Sequence, residues 1–306
     1  MNLPKSITII EVGPRDGFQM EAQFIPTATK IEIINALAKT GIKRIEVTSF
    51  ISPKAIPQMS DAADVIAGID RRGEIHVAAL VPNPKGAENA ARAGVDEMRI
   101  FVSASEAHNR SNVNRTIEES LSGFKEVMRI ADAAKIPVGA GIAVAFGCPF
   151  EGNIPIERLG GIVNRLFDLG ARDITLGDTT GMATPPIVRR TCEYLLKSHS
   201  ELPLSLHFHN TRGIGLVNIY EALTIGLTTF ESSVAGLGGC PMAPGATGNV
   251  CTEDLVYLLH EIGIHTGIEL NALIEVAKKV EKVIGRPLPG QVMKAGQRLD
   301  LHPCRK

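Results

Sequence analysis

Cysteine is scarce in this sequence, with five residues at irregular spacing. An odd number without paired spacing argues against the disulfide framework of a secreted protein and for a reducing compartment. No charge of one sign dominates either, since the net charge is −1. That removes the electrostatic case for nucleic acid or an anionic membrane as a partner. No apolar run approaches the ~20 residues of a membrane helix. The opening stretch MNLPKSITII has neither the charged-then-apolar-then-small order of a secretion signal nor the arginines of a transit peptide, so a cytoplasmic protein is expected. Linkers and low-complexity tracts are missing as well, which points to a single domain over residues 1–306. What remains is an ordinary globular composition, 44% hydrophobic and 21% charged, in a chain long enough for a large core.

The chain alternates. Eight β-branched runs (SITIIEV, RIEVTSF, IHVAALV, MRIFVS, VGAGIAVAF, DITLGDT, LSLHFHN and TFESSVAG) are separated by stretches with apolar residues three and four apart, such as TATKIEIINALAKTG and IERLGGIVNRLFDLG. Gly41, Gly94, Gly170 and Gly226 sit where left-handed helix caps are expected. Strict strand–helix alternation implies parallel strands with right-handed crossovers. Eight such units match the size of a (β/α)8 TIM barrel. An open doubly wound sheet would usually carry a glycine-rich phosphate turn after its first strand, and GPRDGFQ is not one. After the eighth strand come a Gly/Pro loop, one helix that completes the barrel, and a surplus helix within a C-terminal extension over 267–306. That extension is expected to cap one end.

Working groups in such a barrel lie at the C-terminal strand ends. Applied here, that filter selects His207 and His209 in LSLHFHN. Residues two apart on a strand share a face, so both rings project together while Phe208 turns to the helix layer. Two imidazoles on one strand make half of a divalent-cation site. Asp16 lies just past strand 1, two positions round the ring from strand 7, and can add a carboxylate oxygen. Asn249 ends the loop after strand 8, where its amide oxygen would complete the shell or its side chain would cap a helix. Arg15 keeps its proton and is placed to stabilise an oxyanion. Glu46, with Thr48, is expected to face the interior, and Arg15 is its natural partner. Asp178, in LGDTTG, is either an acid/base or supporting group or a loop cap. Cys240, between glycines in GGCPMAPG, is a candidate proton donor or nucleophile on a closing loop. Cys148, Cys192 and Cys251 read as core residues, and Cys304 is assigned nothing.

These residues carry a family resemblance. VGPRDGFQ, RIEVTSFISPKAIPQM, FGCPFEG, LGDTTGMATP, HFHNTRG and GLGGCPMAPGATGNVCTEDLVYLL together resemble the 3-hydroxy-3-methylglutaryl-CoA lyase family, from about residue 7 to 270. The resemblance implies a divalent metal, Mg²⁺ or Mn²⁺, on Asp16, His207, His209 and Asn249. It also implies catalytic roles for Arg15, Glu46 and Cys240; His207 or Asp16 is the candidate base, and Gln19, Asp178 and Arg212 are candidate supporting or substrate contacts. The implied reaction cleaves an acyl-CoA substrate, 3-hydroxy-3-methylglutaryl-CoA or a close analogue, by retro-Claisen chemistry. We also expect a homo-oligomer, dimer or higher. Two stretches depart from the family pattern. GFQMEA stands where GLQNEK is typical, and Asn210 and Arg212 stand where aspartate and tyrosine are typical. A cation absent at Ala22 and present at Arg212 opens the alternative of a different 3-hydroxy-3-carboxyalkyl thioester. Other readings are a metal-dependent aldolase acting on a free 2-oxo acid, an acetyl-CoA-condensing synthase of the isopropylmalate kind, and an inactive barrel used as a scaffold. The synthases usually carry a long regulatory region that this chain lacks, and an inactive scaffold should have lost a metal ligand.

Overall fold

The structure, a computed structural model, describes residues 3–71, 75–199, 203–238 and 248–301. Eight parallel strands close into one barrel in sequence order. They are β1 (Thr8–Glu11), β2 (Arg44–Ser49), β3 (His76–Leu80), β4 (Glu97–Ser103), β5 (Val138–Ala143), β6 (Ile174–Asp178), β7 (Leu204–Phe208) and β8 (Thr229–Ser232). Between and after them lie α1 (Thr27–Lys39), α2 (Ala62–Gly68), α3 (Pro84–Ala93), α4 (Glu106–Val113), α5 (Ile117–Ala134), α6 (Ile156–Asp168), α7 (Pro185–Ser198), α8 (Gly215–Thr224), α9 (Thr252–Glu261), α10 (Leu270–Ile284) and α11 (Val292–Ala295). None of the described helices is long and apolar enough to cross a membrane.

Local chemistry sets several boundaries. Thr116 and Glu119 form a reciprocal capping box at the start of α5. The four glycines expected at helix ends all have positive φ, as at Gly94 (77°), where a side chain would be strained. The surplus helix α10 packs against α1, α9 and the short 3₁₀ turn after β8, between the first and last helices of the ring.

Strand alternation builds two environments. Ile45, Val77, Met98, Ile100, Ile142, Ile174, Leu206, Phe208 and Phe230 face the helices and form the continuous apolar core. The opposite faces of β2, β3, β4, β6, β7 and β8 carry Arg44, Glu46, His76, Glu97, Arg99, Thr175, His207 and Glu231, which hydrogen-bond within the barrel or with residues at its two ends. The interior therefore holds a charge network, with Ile10 and Ala78 beside it. Room for it comes partly from Gly139, where a Cβ would lie 1.9 Å from Arg99 Nη1. At the N-terminal floor a cavity of about 600 Å³ is lined by Lys43, Arg44, His76, Glu97, Arg172 and Asp173, among others.

One strand departs from simple alternation. Glu46 pairs with Ala78 and Thr48 with Ala79, so Val47 is an extra residue in β2. Ala79 belongs to the helix-facing core. Thr48 therefore turns outward, its hydroxyl meeting Met59 Sδ at 3.7 Å, and the expectation that it shares the interior with Glu46 is corrected.

Candidate metal centre

The turn after β1 places the first two groups. Residues Gly13–Gly17 form one π-helical turn in which the Arg15 and Asp16 amides both donate to the Val12 carbonyl. Gly17 is required there, because a Cβ would stand 2.6 Å from that of Leu237. The Arg15 guanidinium grips Glu46 with two parallel bonds, Nε to Oε1 at 2.9 Å and Nη2 to Oε2 at 3.0 Å. Its Nη1 donates to Asp16 Oδ1 at 2.6 Å. A fork held on two sides has little freedom to swing, so its position is set before any substrate arrives. Burial alone would raise the Asp16 carboxyl, but Arg15, His207, the Asn249 amide and His209 outweigh it and hold the group below its ordinary value.

β7 supplies the imidazoles. His207 and His209 have ring centroids 5.2 Å apart. Donor atoms of Asp16, His207 and His209 all lie within 4.8 Å of one another. His207 Nδ1 contacts Glu231 Oε2 at 2.9 Å. Burial, reinforced by His207 and only partly opposed by Asp16, pushes His209 down to about 3, so its ring is neutral and keeps a lone pair. The Asn249 amide donates from Nδ2 to Asp16 Oδ2 and to the Leu237 carbonyl, both at 2.8 Å. Among the described residues, Asn249 Oδ1 and His209 Nδ1 are buried without a hydrogen-bond partner. A buried acceptor left unpaired costs ~1–3 kcal/mol. A cation among the carboxylate, the two imidazoles and the amide oxygen would meet that deficit, and the donor set suits a divalent ion with open positions.

The remaining candidates divide. Glu46 is where the sequence reading puts it, buried against Arg15. Asp178 sits opposite Phe208 in the β6–β7 register, and Phe208 faces the helix-side ring of Phe146 at 5.4 Å. Its Oδ1 accepts from the Met182 and Ala183 amides, as a loop cap does, while Oδ2 is buried and unpaired. Burial, incompletely offset by those amides, His207 and Arg212, raises this carboxyl to about 7. Arg212 is exposed, with Nη1 donating to the Thr180 and Gly181 carbonyls. Gln19 Oε1 is buried without a partner among the described residues. Cys240 lies outside the described residues, as does Cys304. Cys148, Cys192 and Cys251 are buried free thiols.

Glu231, Thr175 and Arg99 escape the sequence reading. Glu231 pairs directly with His207 in the β7–β8 register. Its inward parity was visible beside the apolar Phe230 in TFESS. Only the register tells which histidine it meets.

Comparison with known proteins gives the family. The HMGL-like family model matches residues 6–280. Hydroxymethylglutaryl-CoA lyase YngG of Bacillus subtilis is 46% identical over 95% of this chain and 97% of its own length. A 3-hydroxy-3-isohexenylglutaryl-CoA/hydroxymethylglutaryl-CoA lyase of Pseudomonas aeruginosa is 42% identical over 96% of this chain and 98% of its own. Among solved structures, an HMG-CoA lyase from Acinetobacter baumannii in complex with coenzyme A and 3-methylmalate superposes with a TM-score of 0.94. It is 44% identical, and the match covers 98% of each chain.

Proposed function

This chain belongs to the HMGL-like family and is a carbon–carbon lyase of the hydroxymethylglutaryl-CoA kind, and from that premise we propose how its own residues divide the reaction. The cleavage takes 3-hydroxy-3-methylglutaryl-CoA to acetyl-CoA and acetoacetate. The tertiary hydroxyl loses its proton, the oxygen electrons form the ketone, and the carbon–carbon pair passes to a thioester enolate. Protonation of that enolate carbon gives acetyl-CoA.

A divalent cation on Asp16, His207, His209 and Asn249, with Mg²⁺ or Mn²⁺ best suited to the donors, would acidify the substrate hydroxyl and fix its oxygens. Arg15, clamped by Glu46, stabilises negative charge on the thioester oxygen. The hydroxyl proton goes to His207 or Asp16. Cys240 is kept as the enolate's proton donor. Asp178 braces its own loop, and Gln19 and Arg212 are kept as substrate contacts, Arg212 as an acid-reading cation on an arm braced by two carbonyls. Large apolar side chains left on α6, α7 and α8 (Phe167, Tyr194, Val217 and Tyr220) support a homo-oligomer.

The observation that carries this reading is the convergence of Asp16, His207 and His209 beside an arginine already fixed by Glu46. The test is a cleavage assay over a panel of 3-hydroxyacyl-CoA thioesters with Mg²⁺ or Mn²⁺, following free acetyl-CoA. Arg15→Met and Asp16→Ala should each lower turnover by roughly 10²-fold or more. Undiminished turnover in both would refute these roles. The relative active on a 3-hydroxy-3-isohexenylglutaryl thioester makes longer 3-alkyl chains the second substrates to try.

A further inference from the structure

The two imidazoles at the barrel mouth differ at Nδ1. Among the described residues that of His209 is buried with no partner and open to a cation, whereas His207 Nδ1 meets Glu231 Oε2 at 2.9 Å. Glu231 is itself anchored from below. Its Oε1 accepts from the Thr175 hydroxyl at 2.8 Å, that hydroxyl oxygen accepts from Arg99 Nη2 at 2.6 Å, and Arg99 Nη2 stands 3.5 Å from the same carboxylate oxygen. Arg99 Nη1 in turn binds Glu97 and Asp173 near the floor. All three links of this chain are buried, at 7% exposure for Glu231, 4% for Thr175 and 6% for Arg99.

We propose that Glu231, held by Thr175 and Arg99, is a positioning residue that fixes the ring orientation and tautomer of His207, so that Nε2 faces the ion. The reasoning is geometric. A carboxylate flanked by an arginine and a hydroxyl donor accepts hydrogen bonds and does not donate them, so the proton of a neutral His207 ring must sit on Nδ1. Nε2 is then left as a lone pair aimed away from Glu231. In water a free imidazole prefers to carry its proton on the other nitrogen, the one that would face the ion. A partner of this sort is worth about 10- to 100-fold in metal affinity in comparable sites. The register that sets His207 against Glu231 means the support comes from the neighbouring strand and needs no loop movement.

This inference rests on the metal-centre reading above, and one experiment separates the two. Mn²⁺ binding to metal-free protein is measured by titration for wild type, Glu231→Leu, Glu231→Gln and Thr175→Val. In parallel, ¹⁵N imidazole shifts are recorded for the metal-free proteins. Wild type should bind Mn²⁺ and show His207 protonated at Nδ1. Glu231→Leu should weaken binding about 10- to 100-fold and move the ring toward the Nε2-protonated form. Glu231→Gln, which keeps an oxygen acceptor, should retain the Nδ1 proton and lose less affinity. Thr175→Val, which keeps the shape and frees the carboxylate, should fall between wild type and Glu231→Leu. If wild type binds no Mn²⁺, the metal-centre reading fails. If wild type binds but Glu231→Leu matches it within twofold with an unchanged tautomer, the positioning role is overturned. Should Glu231→Leu not fold, the Gln and Val variants decide the matter by the same two readouts.

Discussion

Inside the barrel, Glu97 and Glu231 lie against cations, whereas behind β1 and β8, Glu11 and Glu253 lie against backbone amides and hydroxyls. All four are buried. Burial alone would raise each of them. For Glu231 the His207 contact, Arg99 and the Thr175 hydroxyl outweigh it and bring the group to about 2, and for Glu97 the contact with His76 and the charges of Arg99 and Arg44 push it well below the ordinary range. Among the described residues Glu11 has no cation partner. It accepts from the Gly13 and Val234 amides and from the Thr252 hydroxyl, which offset burial only in part and leave it at about 7. Glu253 accepts from the Ala235 amide, has an unpaired Oε1, feels the charges of Asp254 and Glu11, and rises to about 8. The same side chain is thus a fixed charge in one place and a near-neutral hydrogen-bonding group in the other. A histidine contact together with arginine charge decides which, since Glu46, bound by the Arg15 guanidinium but facing Glu231, is still raised by its burial.

The sharpest way to break that contrast is to remove the cation. Arg99→Met leaves Glu97, Asp173 and Glu231 in the interior with fewer positive partners. It should lower unfolding free energy in denaturant by about 3–5 kcal/mol. A loss under ~1 kcal/mol would mean the interior charges are not held by Arg99. A gentler perturbation crowds the cation without deleting it. Gly139→Ala puts a methyl group where Arg99 Nη1 now lies and should cost ~1–3 kcal/mol by the same measurement. A neutral result would show that the guanidinium can shift freely.

The smallest expected effect belongs to the other region and shows only against pH. The folded values of Glu11 and Glu253 lie above the ordinary glutamate value of 4.5, so their stabilisation is complete below it and declines as pH climbs through about 7 and 8. Glu97 and Glu231 run the other way, contributing above 4.5 and losing that contribution as the solution is acidified toward 2. Glu253→Gln should therefore flatten the decline between pH 5 and 8 in calorimetric scans, by on the order of 1 kcal/mol, and leave the acid limb unchanged. An unaltered alkaline slope would remove Glu253 from the account.

The barrel was readable because strand and helix alternate so regularly, and seven of the eight β-branched runs contain their strands, while MRIFVS starts one residue inside β4. Asp16, His207 and His209 were readable because strand parity and ring order suffice to bring them together. Arg15 and Glu46 followed from the adjacency of β1 and β2. Residues deeper in the barrel were not found by a filter that looks only at strand ends, so Arg99 and Thr175 went unread. The outward turn of Thr48 depends on an extra residue in β2 that no periodicity announces. Glu11 and Glu253 are far apart in sequence, and only the packing of α9 behind β1 and β8 makes them neighbours with a shared lack of cations.

Barrel closure also has a bearing on how this chain is made. β1 takes β2 on one edge and β8 on the other. The first of these eight strands to be made therefore waits with one open edge until the eighth arrives, and α10, which covers the seam between α1 and α9, comes later still. A nascent chain in that interval offers unpaired backbone to other nascent chains. The seam between β1 and β8 is thus the point where slow translation or a missing chaperone would first turn folding into aggregation.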